Sequence, residues 1–205
     1  MSKLANVEAF GMQLCQNIMK THKTVCKAGS LKYLLWGAIP SEQSICIKMG
    51  HVGEELAKEM IKSNNLELLT CGPQVINENG KKKDFDLIWI DHEKQTIFLR
   101  ELKGNIELDS EKLPATFEKI RTEFEPWLKS QYPNFTINVG ILNWSVYDRS
   151  DLSAGLSNIK TCEKAGVIVD HFGDFCNLID FEWPKENFYN YWREIGTVFR
   201  NISSS

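Results

Sequence analysis

The sequence predicts an α/β fold: a mixed central sheet flanked by helices on both faces. Three observations lead there. Apolar runs of strand length, "DFDLIWID", "TIFLRELKG", "FTINVGILNW" and "AGVIVDHF", fill the middle of the chain. Segments with helical spacing lie between the later runs and at both ends of the series. A strand followed by a helix and another strand demands a right-handed crossover and parallel pairing, whereas the first two runs are close enough to pair as a hairpin. The 205 residues, 42% hydrophobic and 25% charged, suit a globular chain that buries roughly 70% of its unfolded surface, so one domain over 1–205 is expected, with its core at about 50–172.

Each element has its own signal. In "GHVGEELAKEMIKSNN", Val52, Leu56, Met60 and Ile61 form one stripe that stops at Asn64 and Asn65, predicting a helix from about Glu54 to Ser63. "LELLTCGPQVI" reads as a strand interrupted at Gly72 and Pro73. "DFDLIWID" and "TIFLRELKG", joined by a turn from His92 to Gln95, read as a β-hairpin. In the next segment Asp109 or Ser110 offers an N-cap and Pro114 fits a first turn. Leu113, Phe117, Ile120, Phe124, Trp127 and Leu128 then supply an apolar stripe. Two further strands follow, with room for a short helix between Asp151 and Lys164. The tail from Trp183 to Ile202 reads as a helix whose aromatic stripe suits core packing or a dimer seam better than a base-stacking platform.

Composition excludes some classes. A net charge of −3 argues against bulk electrostatic coating of nucleic acid, although residues 1–53 carry six lysines against Glu8 and Glu42. That basic stretch reads as a solvated face or a phosphate-contacting arm. Six scattered cysteines without a Cys-x-x-Cys pair read as reduced, packed thiols. No leader pattern and no apolar window of about 20 residues is present, so a cytoplasmic protein without a membrane partner is expected.

The hairpin poses the chemical question, because its apolar strands carry charge. Side chains alternate along a strand, so Asp84, Asp86, Ile88 and Ile90 share one face, and Phe85, Leu87 and Trp89 the other. On the second strand Leu99, Glu101 and Lys103 share a face. If the register turns both sets the same way, Asp86, Glu101 and Lys103 converge at one end of the sheet. Two neighbouring carboxylates repel and resist desolvation unless a cation joins them, and an oxygen-only donor set suits Mg²⁺. Lys103 would then stand beside the attacking water and the phosphate. The plain alternative is an ion pair at the sheet end.

With this order of elements, the Asp86, Glu101-x-Lys103 pattern resembles the restriction-endonuclease-like, or PD-(D/E)xK, superfamily of metal-dependent phosphodiesterases over about Gly50 to Phe172. The resemblance implies a core of helix, three strands, helix and strand. It implies that Asp86 and Glu101 are metal ligands, with the Leu102 backbone carbonyl as a third, and that Lys103 is the catalytic lysine. Phe85 stands where the family often has Pro, which leaves Asp84 as a rival to Asp86. Glu54 or Glu55 would supply the additional acidic residue that members often carry on the first helix. Double-stranded DNA and a homodimer are the partners implied, as in a type II restriction endonuclease. Lys81, Lys82, Lys83, Asn105, Lys112 and Arg149 are candidate DNA contacts. A structure-specific repair or recombination nuclease, or a non-catalytic nucleic-acid-binding module of the same fold, is the alternative.

Overall fold

The computed structural model describes residues 2–20, 26–37, 42–75, 82–104, 106 and 113–202. They belong to two compact units, Met1–Leu56 with Trp183–Ser205, and Ala57–Glu182.

The first unit is helical. Helix α1 (Lys3–Lys20) buries Val7, Gly11, Cys15 and Met19, one residue every four. Gly11 is there because α8 (Lys185–Ile202) crosses close by: a Cβ at this position would collide with the Tyr191 hydroxyl, which donates to the Glu8 carbonyl at 3.2 Å. The aromatic stripe of α8 packs inward, with Phe188 and Tyr191 buried against Trp183. Helix α2 (Leu31–Trp36) is capped by Ser30, whose side chain accepts from the Tyr33 N–H. Neither α1 nor α2 is expected from the sequence. In α1, Gly and Cys stand where a stripe would carry Leu or Ile, and α2 has only six residues. Helix α3 (Glu42–Ser63) begins at Glu42 rather than near Glu54. Gly50 and Gly53 argue for a break, but each costs a helix only about 1 kcal/mol, which packing overrides.

The second unit holds the sheet. Strands β1 (Glu67–Leu68), β4 (Leu87–Asp91), β5 (Thr96–Lys103), β6 (Thr136–Asn143) and β7 (Ile168–His171) lie in the order β1-β4-β5-β6-β7. The β1–β4 and β4–β5 pairs are antiparallel, and β5–β6 and β6–β7 parallel, so the sheet is mixed as expected. On one face Ile88, Ile90, Ile97, Leu99 and Ile141 pack with Ile120, Phe124 and Leu128 of the long helical segment and with Ile159 and Cys162 of α6 (Leu156–Lys164). On the other, Trp89 stacks on Phe98 at 5.0 Å and meets Phe175 of α7 (Phe172–Leu178) edge-on at 5.7 Å. Helices therefore cover both faces. Burial pushes the thiols of Cys15 and Cys162 up to about 11 and that of Cys176 up to about 12. These thiols stay protonated and act as small apolar groups.

Three expectations need correction. "DFDLIWID" is not one strand: β3 (Lys82–Phe85) pairs with β2 (Gly72–Val75) in a separate two-stranded ribbon, and the chain bends at Asp86 before β4 joins the main sheet. The bend resets the alternation. Phe85, expected beside Leu87 and Trp89, instead stacks on Phe124 at 4.2 Å in the opposite cluster. Secondly, Gly72 and Pro73 do not interrupt a strand; they open β2, and the break falls at Leu69 to Cys71. Gly72 supplies the left-handed φ of +86° that turns the chain out of the main sheet.

Thirdly, the long helix is not uniformly α. Helix α4 (Leu113–Glu118) runs into a π-helical turn (Lys119–Phe124) and then α5 (Glu125–Gln131). The Glu125 N–H bonds the Ile120 carbonyl, five residues back. Pro126 explains the widening: it has no N–H to donate, and its ring would clash with the carbonyl four residues earlier in an α-helix. The proposed cap, Asp109 or Ser110, lies outside the described residues.

Candidate active site

The register of the hairpin places the site. Leu87 pairs with Arg100 and Ile88 with Leu99, so Asp86 stands just past the last pair, opposite Glu101. Because the chain bends there, Asp86 is not covered by further ladder bonds. Its Oδ2 accepts from the Leu102 N–H at 2.8 Å. The N–H and C=O of one strand residue point to the same edge, so the Leu102 carbonyl faces that side as well. The Lys103 carbonyl turns the other way and accepts from Trp144 of the segment after β6.

Glu101 and Lys103 follow Leu99 on the face that carries the larger apolar cluster. Glu101 is only 9% exposed, yet a buried carboxylate needs cationic partners. It has two. Lys119 Nζ lies 2.9 Å from Oε2, and Lys103 Nζ lies 3.6 Å from Oε1. Lys119 comes from the π-turn, where its ammonium also sits 4.7 Å from the centre of the Phe124 ring. Glu101 thus meets Lys103 and Lys119 at the rim of an apolar core.

Lys119 was not among the residues expected here. Its sequence signals are slight: a lysine one position before the buried Ile120, and Pro126 in the interior of the helix. Two further polar residues reach the same face. Parallel pairing puts Lys103 beside Asn143 and Asn143 beside His171 at the carboxyl ends of β5, β6 and β7, the end where α/β sheets bind ligands. Asn143 is fully buried with neither amide atom bonded to protein, and His171 Nε2 is likewise buried without a protein partner.

The other sequence candidates are spread more widely. Asp84 is exposed on β3 opposite Pro73, a bend away from Asp86. Glu54 and Glu55 lie on α3 within the first unit. Lys82 is exposed, Lys83 is paired with Glu123 at 2.7 Å, and Arg149 is paired with Glu163 at 2.6 Å. Lys81, Asn105 and Lys112 lie outside the described residues.

The donors present fit a hard cation. Among the described residues no group of three or more His, Cys, Asp or Glu converges. Two carboxylates with one backbone carbonyl match the partial protein shell of Mg²⁺, which keeps several waters. The Leu102 N–H would hold Asp86 in place beside such an ion.

On the opposite face of β5, Arg100 builds a different cluster. Its Nε bonds Asp170 at 2.6 Å, and its terminal nitrogens bond the Leu99 and Asn138 carbonyls and Asn138 Oδ1 at 2.8–3.0 Å. Gly140, the β6 partner of Arg100, leaves no side chain between Arg100 and Asp170 on β7. A Cβ there would also come within 2.7 Å of the Ile168 carbonyl oxygen.

Comparison of the chain with protein-family models, with curated proteins and with solved structures returns no match. Among the described residues no helix is long and apolar enough to cross a membrane.

Proposed function

We propose that the protein is a Mg²⁺-dependent endodeoxyribonuclease of the restriction-endonuclease-like type, hydrolysing phosphodiester bonds in double-stranded DNA. The observation that carries this reading is the bond from the Leu102 N–H to Asp86, which ties one carboxylate to the strand bearing Glu101 and Lys103. The mixed sheet also supports it, since a hairpin followed by a helix and a parallel strand follows the order that such a core requires. The homodimer and the reading of a specific sequence rest on the resemblance alone.

In this reading Asp86, Glu101 and the Leu102 carbonyl would hold Mg²⁺, which when bound would supply neutralisation of phosphate charge and a water of lowered pKa. Water attacks the phosphorus in line as the opposite P–O ester bond breaks, its proton passing to bulk solvent and the departing sugar oxygen taking up a proton from solvent to leave as a hydroxyl. Lys103 orients that water and stabilises negative charge building on the phosphate oxygens. The apolar cluster beneath keeps these groups at fixed separation.

Incubating supercoiled plasmid with the purified protein, with Mg²⁺ or with EDTA, tests the reaction. Relaxed or linear DNA is expected only with Mg²⁺, and none from Asp86→Ala or Lys103→Ala proteins that keep the wild-type circular dichroism. Full cleavage by either variant would sink the site assignment. Discrete fragments favour a restriction enzyme, and cutting confined to branched or damaged DNA a repair nuclease.

A further inference from the structure

Glu101 is the most buried acid of the site, and it is engaged before any metal arrives. Its Oε2 is taken by Lys119 at 2.9 Å, a closer contact than the 3.6 Å to Lys103, the lysine of the Glu-x-Lys pattern. An ammonium at that distance occupies one lone pair of the oxygen and sets a positive charge beside any divalent ion that the carboxylate would take, and a cation of charge two repels both lysines at close range. Lys119 is free to leave. Its side chain is 23% exposed, and it stands on a turn wider than an α-helix, so its ammonium can swing out to solvent. Lys103, by contrast, is fixed at the end of a paired strand.

We propose that Lys119 is a latch on the metal site: it serves as the counter-ion of Glu101 in the resting protein and competes with the divalent cation for that carboxylate. The proposal rests on the reading of Asp86 and Glu101 as metal ligands. It adds a regulatory consequence to that reading. A phosphodiester that draws the Lys119 ammonium to itself frees Glu101, so substrate and metal load together and the resting protein binds metal weakly.

Calorimetric titration with Mn²⁺ alone, in the absence of DNA, provides the test. Lys119→Met keeps an unbranched apolar chain of nearly the same length but removes the charge, and is expected to bind Mn²⁺ about tenfold more tightly than wild type. Lys119→Arg keeps the charge and is expected to bind as wild type does, which separates charge from packing. Thermal unfolding of both variants confirms that they fold. Equal or weaker Mn²⁺ binding by a folded Lys119→Met overturns the latch while leaving the metal-site reading intact. Failure of wild type and both variants to bind Mn²⁺ at millimolar concentration overturns both.

Discussion

Arg100 and Glu101 are neighbours on one strand, and strand alternation sends them to opposite faces of the same sheet. The two charged clusters they build are differently made. Arg100 is 1% exposed and bonds a carboxylate, a side-chain amide and two main-chain carbonyls, the planar fork of donors that a guanidinium presents. Nothing in that arrangement needs a further ligand. Glu101 is held by two ammonium groups at the edge of solvent, Lys103 at the end of a paired strand and Lys119 on a wider turn from which it could exchange for another cation. A buried charge whose partners are all rigid and directional is a structural rivet; one with a mobile point charge among its partners is suited to exchange. The same residue class, one position apart, serves either purpose according to what surrounds it.

The contrast is sharpest when both clusters are broken in parallel. Glu101→Gln is expected to lower plasmid cleavage by about 10³-fold, the scale of removing one preorganised electrostatic group, while shifting urea stability little. Arg100→Met is expected to cost about 3 kcal/mol in urea unfolding, because Asp170 and Asn138 lose their partner inside the fold. Cleavage by the remaining folded fraction should stay near wild type. If the stability loss instead followed Glu101, the division between rivet and exchange site would fail.

A smaller effect is expected at the hairpin turn. Burial raises the Asp91 carboxyl, but hydrogen bonds from the Lys94 ammonium and the Lys94 N–H outweigh it, so the folded pKa lies below the ordinary carboxylate value. A depressed folded pKa contributes stability above the unfolded value near 3.9, and that stability is lost as pH falls through the folded value. Asp91→Asn should therefore cost about 1.5 kcal/mol at pH 7. The gap from wild type should close in acid below about pH 3.9, as followed by chemical unfolding at several pH values. Smallest of all is the exposed Arg149–Glu163 pair, 2.6 Å apart with both side chains near half exposure. Arg149→Ala should change stability by less than about 0.5 kcal/mol. A larger loss there would mean that short surface pairs in this protein behave like the Arg100 cluster.

Much of the sheet was legible because its signals are local. The four-residue turn at His92 to Gln95, the apolar alternation of β5 and the separation of β6 and β7 by helical spacing all lie within short windows, and the mixed sheet follows from them. The place of Asp86 just past the last hairpin pair, opposite Glu101, was legible for the same reason, since it needs only the hairpin register. What escaped was set elsewhere. The bend at Asp86 arises because β3 pairs with β2 rather than with the main sheet, and an alternating pattern carries no mark of where a strand changes partner. Phe85 was therefore assigned the wrong face. Helix α1 was hidden because Gly11 and Cys15 face inward where larger apolar residues would have announced a stripe. Lys119 meets Glu101 across 18 positions of sequence, through a turn whose cause, Pro126, was visible while its effect on phase was not.

That turn has a consequence for how the chain can change. An α-helix advances about 100° per residue, so a π-turn inserts a fixed rotation between the residues before it and those after it. Leu113 and Thr116 are buried upstream, and Leu128 downstream. Removing one residue between Lys119 and Phe124 would erase that rotation, and the two halves of the helix could no longer present their buried sides to the same sheet. The segment is a spacer measured to a single residue: a substitution at one of its exposed positions leaves the phase of the helix intact, whereas a deletion does not.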